Sequence, residues 1–102
     1  MMEPKNEKQE PIKFIIELLK GADREAVRRD LGRLADDLVL EEGELLPKYV
    51  FGSTSQATYE RIFGAKVFYT GVWMHLRQPQ VPEAFKDRIF QVYPSVKLSP
   101  TN

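Results

Sequence analysis

The side chains able to do chemistry in this chain are few and poorly grouped. Among its 102 residues there is one histidine, His75, and no cysteine. Disulfides and thiolate metal sites are therefore excluded, and a lone imidazole without HxxxH or HExxH spacing is a poor metal-ligand set. His75 reads as a structural histidine. The hydroxyls of Ser53, Thr54 and Ser55 follow Gly52, but the segment is not a G-x-S-x-G elbow and no base stands near it in sequence. It also lacks the glycine spacing and the lysine of a P-loop. A helix cap accounts for these hydroxyls more simply. Carboxylates cluster at Asp36 and Asp37 and at Glu41, Glu42 and Glu44. Catalytic carboxylates need burial or a special neighbour, and these clusters fall at a helix end and a turn. No EF-hand ligand order is present. The chain is expected to be no enzyme and to use no cofactor or metal.

Binding is then the function class to weigh, and two groups of residues bear on it. Tyr69, Trp73, Met74 and Arg77 are residue types enriched at protein–protein hot spots, and they occur close together around the only tryptophan. Aromatics at this density also make ordinary core, and the two uses are distinguished by exposure. The second group is Arg24, Arg28, Arg29 and Arg33, in the run Asp23-Arg-Glu-Ala-Val-Arg-Arg-Asp-Leu-Gly-Arg-Leu34. That run resembles the recognition helix of winged helix-turn-helix regulators, with Leu38 to Tyr49 in the place of the wing. The resemblance covers about a quarter of the chain and implies DNA binding through the four arginines. One helix precedes the run where that family has two, and the tip of the wing is acidic. The simpler account of these arginines is a solvated, ion-paired helix face.

Charge is consistent with that weighting. The whole chain is neutral, with 15 basic and 15 acidic residues, whereas a dedicated nucleic-acid binder usually carries a basic excess. Residues 1–47 hold 8 Lys and Arg against 12 Asp and Glu, and residues 48–102 hold 7 against 3. Two halves of opposite sign can attract each other or a symmetry mate. The leading expectation is a small regulatory or adaptor protein that binds another protein or itself. The alternative is a DNA-binding transcriptional regulator, and the second alternative an enzyme with an unrecognised site. Cysteine-free composition favours the cytoplasm. No secretory signal or membrane span is expected, because the longest apolar window, Ile62 to Leu76, is interrupted by Lys66.

The elements that must position these residues read as mainly α: four or five short helices in one domain, with room for a small β-hairpin and with α+β as the alternative. Residues 1–9 read as a disordered leader, 10–94 as the helical domain and 95–102 as a flexible tail. Pro11 suits the first turn of a helix whose apolar residues recur at 12, 15, 16 and 19 and which Gly21 stops. Asp23 caps a second helix with a seam at Val27, Leu31, Leu34 and Leu38, usable for packing or self-association. Glu25 with Arg29 and Arg33 with Asp37 are at ion-pairing spacing, and Gly32 would admit a close neighbouring backbone. Tyr49 to Phe51 is a short strand or extended connector ended by Gly52. Ser53 or Ser55 caps a helix from about Thr54 to Phe63, ended by Gly64. Ala65 to Leu76 is ambiguous between helix and buried strand, and its length tips the reading to helix. Pro82 opens a final helix with a core stripe at Phe85, Ile89 and Val92.

Overall fold

The computed structural model describes residues 10–41 and 47–95. It corrects the fold class. Two helices and six strands form two antiparallel sheets, so the protein is α+β with a predominance of strand. Strand β1 (Ile12–Leu18) takes the place of the expected first helix. Its side chains alternate, with Ile12, Phe14, Ile16 and Leu18 buried and Lys13, Ile15 and Glu17 on the other face. A run this rich in apolar residues matches a helical and an alternating template equally well. Tertiary pairing decides between them. β1 lies inside the sheet and is paired on both sides, so its backbone groups find partners in β3 and β6.

Helix α1 (Arg24–Gly32) follows, with Asp23 as N-cap accepting from the Ala26 N–H at 3.2 Å. It buries Val27 and Leu31 and stops at Gly32, short of the expected Leu38. Nothing lies within 4 Å of a side chain built at Gly32, so this glycine admits no close backbone. Leu38 is buried, whereas Leu34 is partly exposed. The expected seam is thus spent mostly on the chain's own core. The expected pairs are also replaced: Glu25 engages Arg28 at 3.1 Å, and Arg33 approaches Asp30 at 3.8 Å.

Strand β2 (Val39–Leu40) pairs with β3 (Tyr49–Thr54), which continues through Gly52 instead of ending there. Of the acidic turn expected at Leu40 to Leu45, Leu40 belongs to β2 and residues 42–45 lie outside the described residues. Helix α2 (Gln56–Phe63) is capped by Ser55, whose hydroxyl accepts from the Thr58 N–H, and ends at Gly64 in the left-handed conformation, φ +66°. Ala65 to Leu76 is not a helix. It folds as a hairpin of β4 (Lys66–Tyr69) and β5 (Trp73–Arg77). The expected last helix is reduced to a 3-10 turn at Glu83–Phe85, after which β6 (Ile89–Pro94) returns to the sheet. Phe85, Ile89 and Val92 are buried as expected of them, but from a turn and a strand.

The main sheet has the order β2-β3-β1-β6, all antiparallel. Each helix connects two strands that leave room for a third between them, which is the split β-α-β arrangement repeated twice. The hairpin is an addition between α2 and β6. Both helices and the hairpin pack on one face of the sheet, because Val27, Leu31, Tyr59, Phe63 and Val67 share one core with β1. The opposite face carries the partly exposed cross-strand row Tyr93, Ile15 and Phe51. No helix among the described residues is long and apolar enough to cross a membrane.

Candidate functional site

The hairpin is held to the body of the protein on one side only. Gly64 turns the chain out of α2, and the buried Ala65 leads into β4. Val67 then presents its backbone to α2: its N–H donates to Glu60 Oε2 at 2.9 Å, and its carbonyl accepts from Gln56 Nε2 at 3.1 Å. The bond from Val67 is the chief cause holding the Glu60 carboxyl below its usual range. At the other end Thr70, Gly71 and Val72 make the turn, with Gly71 at φ +92° and the Thr70 N–H bonded to the Val72 carbonyl at 2.9 Å. Only glycine adopts such a conformation without strain.

The pleat sorts the hairpin side chains into two sets. Val67, Tyr69, Trp73 and His75 face the body of the protein. Val67 is buried, His75 is 2.8 Å from the hydroxyl of the fully buried Tyr59, and the Tyr69 and Trp73 rings meet at 4.9 Å. The indole N–H of Trp73 donates to the Glu10 carbonyl at 2.9 Å. Burial raises the pKa of the Tyr59 phenol, keeping it protonated, and lowers that of the His75 imidazole, favouring its neutral form. The outward set is Phe68, Met74 and Leu76, exposed by 41, 45 and 68%, with Val72 at the turn exposed by 62%.

The four residues expected to form a protein contact are therefore not one cluster. Tyr69 and Trp73 are cross-strand partners on the inward face, whereas Met74 points outward opposite Phe68. Arg77 is at the far end, where its Nε donates to the Gly64 carbonyl at 2.9 Å. Sequence reading missed Phe68, Val72 and Leu76. The available signal was Thr70-Gly71 between two β-prone runs, a hairpin signature.

Two clefts flank Trp73. The larger, about 700 Å³, separates β5 from the ends of β1 and β6 and is lined by Ile12, Lys13, Val72, Trp73, His75 and Pro94. The smaller, about 310 Å³, reaches toward Asp37. There the Asp37 carboxylate accepts hydrogen bonds from Ser55 at 2.5 Å, Thr58 at 2.8 Å and Thr54 at 3.3 Å. These bonds, Ser55 first, hold its pKa down. Three hydroxyls on one carboxylate lock the loop after α1 onto the start of α2. Without an imidazole in the cluster, this is a cap with a brace and not an activated nucleophile. Among the described residues no group of three or more His, Asp or Glu is placed to hold a metal ion.

The arginines of α1 are drawn into local contacts. Arg24 donates through Nε to the Tyr49 carbonyl at 3.0 Å, Arg28 pairs with Glu25, and Arg29 and Arg33 flank Asp30. Asp30 is also held at 2.8 Å by Arg88, whose hydrogen bond is the main cause lowering its pKa. α1 is a crossover helix between β1 and β2, where a winged helix-turn-helix domain would place a further helix beside its recognition helix. Compared with known protein families, curated proteins and solved structures, the chain matches none of them.

Proposed function

We propose that the protein is a small non-enzymatic binding protein of the cytoplasm that engages another protein through the hairpin Lys66–Arg77. The observation that carries this reading is the outward row Phe68, Met74 and Leu76, beside Val72, on a sheet face with nothing packed over it among the described residues. Exposed apolar residues scattered singly need no explanation, but a contiguous group on one rigid face marks an interaction surface. Aromatic residues and methionine are the types enriched in the centres of such surfaces. The alternative, DNA binding by Arg24, Arg28, Arg29 and Arg33, draws less support because these side chains are engaged by neighbouring acids and a carbonyl. A photo-crosslinking residue placed at Leu76, and in a separate variant at Lys86 as control, tests the proposal in cells. A discrete protein adduct from position 76 and none from position 86 is expected. No adduct from position 76, or the same adducts from both, overturns it.

A further inference from the structure

We infer that the free edge of β5 is a strand-addition site, at which the cleft beside Trp73 and His75 takes an extended peptide of the protein partner. This rests on the protein-binding reading and adds the mode of capture. The argument starts from the phase of the β4–β5 ladder. In an antiparallel pair, residues alternate between those that exchange hydrogen bonds across the pair and those whose N–H and C=O groups point away from it. Val67 spends both backbone groups on Glu60 and Gln56 of α2, so Val67↔His75 is an outward pair. The bond from Thr70 to Val72 at the turn fixes the same phase from the other end, making Tyr69↔Trp73 outward as well. The N–H and C=O of both Trp73 and His75 are therefore directed off the β5 edge, and no hydrogen bond to them is formed among the described residues.

The other edges are blunted, as edges in native proteins usually are. β2 is two residues long, β6 carries a bulge at Phe90 and ends in Pro94, and β4 is covered at Val67 by the two side chains of α2. The β5 edge has a bulge of its own at Leu76, but it lies beyond His75, so the stretch from Trp73 to His75 stays regular and opens onto the cleft of about 700 Å³. An extended backbone is the occupant whose chemistry this edge specifies: donors and acceptors at the spacing of two residues. A strand added there continues the pleat. Its residue beside Met74 falls on the exposed face with Phe68 and Leu76, so an apolar side chain is favoured at that position. Its neighbours on either side turn toward Ile12 and Pro94.

The test is to pan a phage-displayed library of short random peptides against the full chain, then follow amide exchange residue by residue by NMR with a selected peptide. In the free protein the Trp73 and His75 amides should exchange fast while Met74, inside the ladder, exchanges slowly. At a peptide concentration about ten times its Kd, both fast amides should slow by roughly tenfold. Enriched peptides that leave them fast, or no enrichment, overturn strand addition. So does protection at Trp73 and His75 that rises with protein concentration alone, which would give the edge to a second copy. Crosslinking at Leu76 is scored independently. Its persistence after any of these failures leaves the protein-binding reading standing, and its loss removes that reading itself.

Discussion

Gly52→Ala is expected to destabilise the protein markedly, for a reason visible only in the register of the sheet. Gly52 lies opposite Phe14 across β1 and β3, on the face that packs against the helices. A methyl group there would sit 2.7 Å from Phe14 Cζ and 2.9 Å from Leu40 Cδ2. Carbon atoms prefer about 3.5–4.0 Å, so the ring must retreat by roughly 1 Å. It has nowhere to go. Phe14 is buried and packed against the tilted ring of Phe63, with ring centroids 5.0 Å apart, and against Tyr59 at 6.2 Å. Overpacking of this kind costs about 1–3 kcal/mol. For a domain of this size that corresponds to a fall in Tm of roughly 5–20 °C. Urea unfolding should show a lower midpoint with an unchanged slope, because the surface exposed on unfolding is the same. Phe14→Leu should recover part of the loss in the Gly52→Ala background, giving a coupling of about 0.5–2 kcal/mol in a double-mutant cycle. A Gly52→Ala protein within ~0.5 kcal/mol of wild type, or strictly additive effects, would refute the packing of α2 on the β1–β3 pair.

Four further outcomes follow from the same geometry. Because burial lowers the folded-state pKa of His75 below its ordinary 6.5, the unfolded chain takes up the proton first as pH falls. Stability should decline from about pH 6.5 downward until folded His75 is itself protonated, and His75→Gln should abolish that part of the profile; a wild-type urea midpoint that stays flat there contradicts it. Asp37, depressed below 3.8 chiefly by Ser55 and Thr58, should stabilise the fold above that value and cease to as pH falls through its folded pKa. The stability gap to Asp37→Asn, measured by urea titration, should therefore be widest near neutrality and narrow in strong acid. Val67→Ala, on the buried face, should cost about 1–3 kcal/mol, whereas Leu76→Thr on the exposed face should stay within about 0.5 kcal/mol; the reverse ranking in chemical denaturation would mean the hairpin faces are misassigned. Finally, random duplex DNA should show no mobility shift at low salt. A shift with steep salt dependence that disappears in Arg28→Glu/Arg29→Glu would transfer the function to the arginine face.

Helix caps were legible in the sequence, whereas Pro11 and Gly52, read as a helix start and a strand end, stand before and within strands. Asp23 and Ser55 cap helices, and Gly64 ends one, because each acts through contacts within four residues. Core membership was also legible at Phe85, Ile89 and Val92, since burial depends on side-chain chemistry whatever the backbone does. The type of element was not. Ile12 to Leu18 satisfies a helical period and an alternating one, and its strand partners β3 and β6 lie far along the chain. The same ambiguity ran through Ala65 to Leu76, where length favoured a helix and Gly71 marked the turn instead. At the proposed site, composition singled out the hairpin segment but not its faces. Tyr69 and Trp73 drew attention as binding types and prove to be half-buried partners of each other, while Phe68 and Leu76 are the more exposed.

That division of the hairpin bears on what its outer face is for. A two-stranded hairpin is marginal in water and must be anchored to something larger. Here the anchoring is complete on the inward side: Val67 in the core, His75 on Tyr59, Trp73 on Glu10, and the β4 backbone on α2. The bulge at Leu76, opposite Lys66 and Val67, lies where Arg77 reaches back to Gly64 and closes the open end of the ladder. None of these contacts requires an apolar residue at position 68, 74 or 76. Polar β-formers such as threonine would serve the outer face as well, at lower risk of aggregation. An apolar outer face beside an edge left open at Trp73 and His75 is thus a feature that stability leaves unexplained and that capture of another chain would use in both of its parts, the side chains for specificity and the backbone for affinity.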